Sequence, residues 1–296
     1  MSGGRVHIVN QLLGHGASLD LNAKATNASG ELALSVVVGG GRGCVLKADA
    51  PVAGIWVPLR GRLQLGGGGS EALLVPGEAR VTEVDTRLHA VGRGNAVWVA
   101  LLGTLPAWRQ VLTSQLGLPS LDAILLPARH AADRELRRGA LALARAAQDG
   151  DAVTACEALV ERIIALQAGF ATAIARCPGR TYAQRRQVFM RLQRVRNYLA
   201  TNCHLDIDNE SLARMANYSP WHFIRAFRAA YEETPHAFLV RQRLERARRL
   251  LRASPLAIAE IALESGFENR SAFSRLFRQR FGTTAGALRR EAGGRC

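Results

Sequence analysis

The sequence predicts an α+β chain of separate parts: a β-rich N-terminal domain, a helical hairpin, and an all-α C-terminal domain holding two copies of one helix-turn-helix unit. Three observations predict it. Apolar, β-branched segments alternate with glycine-rich turns over the first 105 residues. From about Pro106 the apolar period lengthens to that of a helix. Finally, "HFIRAFRAAYEETPHAFL" (222–239) recurs as "AFSRLFRQRFGTTAGALR" (272–289) at a constant offset of 50 residues.

The β segments read as "LALSVVV" (32–38), "AGIWVPL" (53–59), "EALLV" (71–75), "ARVTEV" (79–84) and "NAVWVALL" (95–102). Turn signals "GGGRG", "GGGGS" and "PGE" separate them, at spacings that suit a small barrel or sandwich. "LPAWRQVLTSQLG" opens the helical region, which spans 106–177. A hairpin follows in "AADRELRRGALALARAAQ" and "DAVTACEALVERIIALQAGFATAIAR", broken at "DGD" (149–151). "CPGRTY" (177–182) is the domain boundary, because Pro178 and Gly179 interrupt a helix, and 183–296 is helical throughout.

Charge divides at the same place. Residues 178–296 hold 22 Arg against 10 Asp or Glu, whereas 1–177 hold 17 Lys or Arg against 14 acids, within a chain of net charge +15. A basic C-terminal domain points to a polyanion, nucleic acid before an acidic membrane. No apolar run reaches the ~20 residues of a membrane span, and the start of the chain has no secretion signal. Five scattered cysteines without a CxxC pair fit a reducing compartment, so the expected location is the cytoplasm.

Each repeat reads as a short helix, a turn and a longer helix. In the first, Leu212, Met215 and Ala216 form a buried face, Asn217 takes a left-handed turn, and Ser219-Pro220 starts the next helix. In the second, Ser254-Pro255 repeats the start signal, Ile258, Ile261 and Ala262 are buried, Gly266 ends the helix and Asn269 caps the next. The aromatics Phe223, Phe227 and Tyr231, with Phe273, Phe277 and Phe281, fall on one helical face and predict core. The opposite faces carry Trp221, Ile224, Arg225 and Arg228, then Arg270, Ser271, Ser274, Arg275 and Arg278. Arginine can bond guanine O6 and N7 together, serine suits several base edges, and apolar groups meet thymine methyls. The joining helix, "TPHAFLVRQRLERARRLLRA", packs Phe238, Leu244, Ala247 and Leu251 against both units and supplies further arginines for phosphate or for pairing along the helix.

Over about Val188 to Arg290 the sequence resembles the AraC/XylS family of bacterial transcription regulators. "RLERARRLL" resembles the helix between the family's two units, and "IALESGFENRSAFSRLFRQRFG" its "IA", "GF", "F-S-R-x-F" and later Gly signature. The resemblance implies double-stranded DNA as partner. It places base-facing positions at Trp221, Ile224, Arg225, Arg270, Ser271, Ala272 and Arg275, with Ser219, Arg228, Ser274 and Arg278 on the backbone. It also implies a cupin-like N-terminal barrel (1–105) that senses a small-molecule effector, a helical region that forms a homodimer, and action as an activator with RNA polymerase. Trp56, Arg60, His89 and Trp98 are candidate pocket residues, weighed against ordinary strand packing. No cofactor is expected. A cupin-type metalloenzyme would need clustered His and carboxylate ligands, yet the seven His form no HxH pair. An effector-independent regulator or an architectural DNA binder stays open.

Overall fold

A computed structural model describes residues 7–21, 33–67, 70–84, 87–117 and 123–293. Cys296, the first six residues and part of the "GGGGS" turn lie outside the described residues. The chain divides into two compact units between Ala171 and Thr172.

The first unit is built on one sheet of nine strands: β1 (His7–Leu13), β2 (Ser18–Asp20), β3 (Ala33–Gly41), β4 (Val45–Ala48), β5 (Ala53–Gly67), β6 (Ser70–Leu74), β7 (Glu78–Val81), β8 (Leu88–Gly103) and β9 (Ala128–Ala131). Two strands are far longer than the sequence segments that announced them. β5 pairs with β8 antiparallel along almost its whole length, through register shifts between Pro58 and Arg62. Gly61 sits in that irregularity with φ +69, and a Cβ there would lie 2.7 Å from Ala96 Cα. Beyond it β8 changes partners: Val45–Ala48 of β4 pair with its first half, and Leu34–Gly41 of β3 with its second. A kinked pair of long strands thus replaces several short ones.

The main path runs β1-β3-β8-β5-β7-β9, with β2, β4 and β6 branching from it. The path is open among the described strands, so the closed ring of the expected cupin-like barrel is not formed.

Alternation along the strands serves two cores. Leu34, Val36, Ile55, Val57, Val99 and Leu101 pack with residues of three helices. These are α1 (Leu105–Gln110, continued by a π-helical turn to Gln115), α2 (Arg134–Asp149) and α3 (Val153–Gln167). Trp108, Leu136, Leu143, Leu159 and Ile163 are their contributions. Val37, Trp56, Trp98, Ala100 and Leu102 face the other way, against Leu46, Leu63, Leu65 and Leu74. Fully burying one such side chain contributes about 1.5–3 kcal/mol. Asp133 caps α2 by accepting from Leu136 N at 2.8 Å, and Gly150 ends it at φ 93. A short strand, β9, lies where the sequence pattern read as helical.

The second unit is helical: the end of α4 (Gly169–Arg176), α5 (Tyr182–Asn202), α6 (Asn209–Ala216), α7 (Pro220–Tyr231), α8 (Pro235–Ala253), α9 (Ile258–Glu264), α10 (Arg270–Phe281) and α11 (Ala285–Gly293). The duplication extends to its fine detail. Tyr231 and Phe281 end the longer helices, and the next residues, Glu232 and Gly282, are both left-handed at φ 60 and 69. Thr234 and Thr284 then accept from Ala237 N and Ala287 N, each at 3.1 Å. The expected start at Ser254-Pro255 is different. Ser254 closes α8 with its hydroxyl on Leu250 O, and α9 begins after Ala257, whose N–H donates to Glu260 at 2.7 Å. A carboxylate three residues downstream does the capping that the serine promised.

Candidate nucleic-acid interface

The scaffold under α7 and α10 is apolar and doubly anchored. Phe223 and Phe227, like Phe273 and Phe277, are fully buried, with tilted or edge-on rings 5.4–5.7 Å apart within each pair. Phe227 meets Phe238 of α8, while Leu244, Ala247 and Leu251 farther along α8 join the core of the second unit. Asn217 ends α6 at φ 56, ψ 50, and Asn269 caps α10 by accepting from Ser271 N at 2.8 Å and Ala272 N at 3.1 Å. Ser219 holds the N-cap place of α7, but its hydroxyl bonds His222 Nδ1 at 2.7 Å rather than the backbone.

This scaffold leaves one face of each longer helix outward. Trp221 is 59% exposed, an unusual cost for the largest apolar side chain unless something covers it. The Arg225 guanidinium stacks over its ring at 4.4 Å, one helical turn on, which holds both side chains in place. Ile224 is half-buried and Arg228 exposed. On α10, Arg270, Ser271, Ser274, Arg275 and Arg278 are exposed and Ala272 is half-buried. Among the described residues, none of Arg225, Arg228, Arg270, Arg275 and Arg278 forms an ion pair.

The arginines of the joining helix behave otherwise, and the sequence did not separate the two groups. Arg241 forks onto Glu233 at 2.7 and 3.3 Å. Arg243 donates to Cys203 O and Leu205 O at 2.7 and 2.9 Å, and Arg246 to Glu264 O at 2.9 Å. Arg248 pairs with Glu245 at 2.7 Å and lies over Phe281. Arg196 of α5 is stacked between Tyr231 and Phe238, where burial pushes its pKa down. The same burial pushes the Tyr231 phenol up, with its hydroxyl donating to Gln193 at 2.9 Å. These side chains brace the domain from within.

The pocket candidates of the first unit are not brought together as one group. Trp56 and Trp98 are fully buried, 5.9 Å apart, with their N–H groups on Thr82 Oγ1 and Cys44 Sγ. Arg60 is exposed beside the strand irregularity, and His89 lies half-exposed with Glu71 4.0 Å away. No group of three metal-ligating side chains occurs among the described residues.

A family described as a helix-turn-helix domain matches residues 212–291, which takes in both units. The HTH-type transcriptional regulator GlxA of Rhizobium meliloti (strain 1021) is 43% identical over 88 residues, 29% of this chain and 27% of that protein. The transcriptional activator NphR of a Rhodococcus species is 38% identical over 101 residues, 34% of this chain and 30% of that one. The chain therefore spans less than a third of the length of these relatives. Among solved structures, the DNA-binding domain of the global transcriptional factor AdpA in complex with a target DNA is 31% identical. It covers 36% of this chain and 95% of that one, at a TM-score of 0.34. Through its C-terminal helical domain the chain belongs to the AraC/XylS family of transcription regulators.

Proposed function

We propose that the protein is a sequence-specific transcription regulator, acting as an activator in the cytoplasm, whose helices α7 and α10 read successive major-groove segments of double-stranded DNA. One observation carries the reading. The repeat presents arginines at equivalent outward positions, Arg225 with Arg275 and Arg228 with Arg278, and leaves them without carboxylate partners among the described residues, while Arg241, Arg243, Arg246 and Arg248 of α8 are tied down internally. A merely solvated basic face gives no reason for that division. Arg225 and Arg275 are assigned to base edges with Trp221, Ile224, Arg270, Ser271 and Ala272, and Ser219, Arg228, Ser274 and Arg278 to phosphates. The N-terminal domain is the place for a small-molecule effector, and the helical region following it for a homodimer contact; RNA polymerase is the partner of an activator.

Footprinting of the full chain on its promoter tests this. Arg225→Ala and Arg275→Ala should each weaken specific binding by about 1–3 kcal/mol and relax base preference in different segments. Wild-type footprints from both variants would refute the assignment of the reading face.

A further inference from the structure

The start of α7 is built differently from the start of α10, although Ser219 and Asn269 hold the same place in the repeat. Asn269 caps in the ordinary way, its side-chain oxygen accepting from Ser271 N and Ala272 N. Ser219 makes no such bond to the backbone of α7. Its hydroxyl is bonded instead to the imidazole Nδ1 of His222, at 2.7 Å. Forgoing the backbone bond costs helix stability, and what the helix gains is one fixed imidazole. When Nδ1 donates, the Ser219 O–H remains free for the phosphate assigned to it.

That imidazole is set against the exposed indole. The His222 and Trp221 rings meet nearly perpendicular, at 85°, with centroids 5.0 Å apart. Neighbours in a helix point about 100° apart, so their rings do not meet unless one turns toward the other. Both side chains are exposed, so core packing does not enforce the contact, and the bond to Ser219 supplies the restraint. Arg225 completes the stack, its guanidinium 4.4 Å from the indole centroid. A chain of contacts thus runs from the N-cap through His222 and Trp221 to Arg225. The equivalent places on α10 hold Ser271 and Ala272, so the repeat offers Arg275 no ring there.

We propose that His222, anchored on Ser219, is a positioning residue: it holds Trp221, and through Trp221 the stacked Arg225, as one preformed probe for the bases. Ordering a free side chain at an interface weakens binding by about 2- to 12-fold for each one immobilised. α7 has ordered its two before DNA arrives, whereas α10 orders Arg275 only on binding. This rests on the assignment of Trp221 and Arg225 to base edges, and it adds a residue that acts through them rather than on DNA.

Equilibrium binding of the full-length protein to the promoter fragment it footprints, and to a shuffled duplex of equal length and composition, tests the proposal. His222→Ala should lower affinity for the promoter about 3- to 10-fold and relax base preference in the α7 segment alone. Affinity for the shuffled duplex and the salt dependence should not change. Its melting temperature should match that of the wild type, since His222 is exposed. In the Trp221→Ala background the same substitution should have almost no further effect, because no indole is left to hold. Wild-type promoter affinity in His222→Ala would overturn the proposal. So would an equal loss on both duplexes, a shallower salt dependence (the mark of a direct phosphate contact), or a loss that persists undiminished beside Trp221→Ala. Arg225→Ala separates this role from the reading beneath it. If Arg225→Ala weakens promoter binding while His222→Ala does not, the positioning role alone fails. If neither changes the footprint, the reading face is wrong and the positioning role falls with it.

Discussion

The two helix-turn-helix units share a scaffold and differ most in the turn between their helices. From α6 to α9 the equivalent residues are 49 apart: Leu212 with Ile261, Ala213 with Ala262, Ala216 with Ser265, and left-handed Asn217 with left-handed Gly266. From α7 to α10 the offset is 50, so the second turn is one residue longer. Asn217 stands at an exposed turn, whereas Gly266 is pressed into the body of the domain. A Cβ on Gly266 would lie 2.8 Å from Arg243 Nε, 3.0 Å from Cys203 O and 3.1 Å from His204 Cα. The same Arg243 donates to Cys203 O and Leu205 O. The second turn is thus a joint against α8 and the end of α5, and the first is only a turn. Duplication preserved the helices' faces, while the turns acquired different neighbours.

The largest effect should separate these turns. Gly266→Ala combines a strained positive φ with contact against backbone, and should lower stability by about 2–4 kcal/mol. Asn217→Gly should change it by less than about 1 kcal/mol. Denaturant unfolding of both gives the answer, and equal small changes would show that the second turn is no joint. Next come the arginines. Arg243→Ala should cost about 1–3 kcal/mol, since it leaves two carbonyls without their donor, while Arg228→Ala should stay within about 0.5 kcal/mol. Similar losses in the two would erase the distinction between bracing and outward-facing arginines. The smallest effect concerns Ala216 and Ser265, both fully buried at the same place in each unit. The Ser265 hydroxyl has no hydrogen-bond partner there. Ser265→Ala should therefore stabilise the protein by about 1 kcal/mol, and Ala216→Ser should destabilise it by a similar amount. A loss of stability in Ser265→Ala would show that the second core uses that hydroxyl.

Much of the helical domain was legible because its signals are local. The aromatic spacing, Asn217 as a left-handed residue and Asn269 as a cap need only a few neighbouring residues to act. The start of α9 was misread because Ser254-Pro255 satisfies the same local rule as Ser219-Pro220. The rival cap, Glu260, lies beyond it. In the sheet domain the information is non-local. Nothing in "AGIWVPL" alone says that β5 continues through Gly61 to Gly67, because β8 supplies the hydrogen bonds that extend it. For the interface, residue type and helix phase marked the outward arginines, and helix phase alone did not say which arginines of α8 are spoken for. Their partners, Cys203 O, Leu205 O and Glu264 O, are backbone atoms 18 to 40 residues away, and carbonyls have no signature in a sequence.

If α7 and α10 read DNA as proposed, the bracing of α8 sets a limit on the promoters this protein would serve. DNA advances one turn in about 10–10.5 base pairs, so one added base pair swings the next groove segment round by roughly 35°. A domain with a loose joint between its probes could follow that rotation. With Arg243 fastening the middle of α8 to backbone just past α5, and Arg246 fastening it to the end of α9, this one would keep a fixed helical phase. On the proposed reading, its operators would be free to vary in base identity within each half, but not in the spacing between halves.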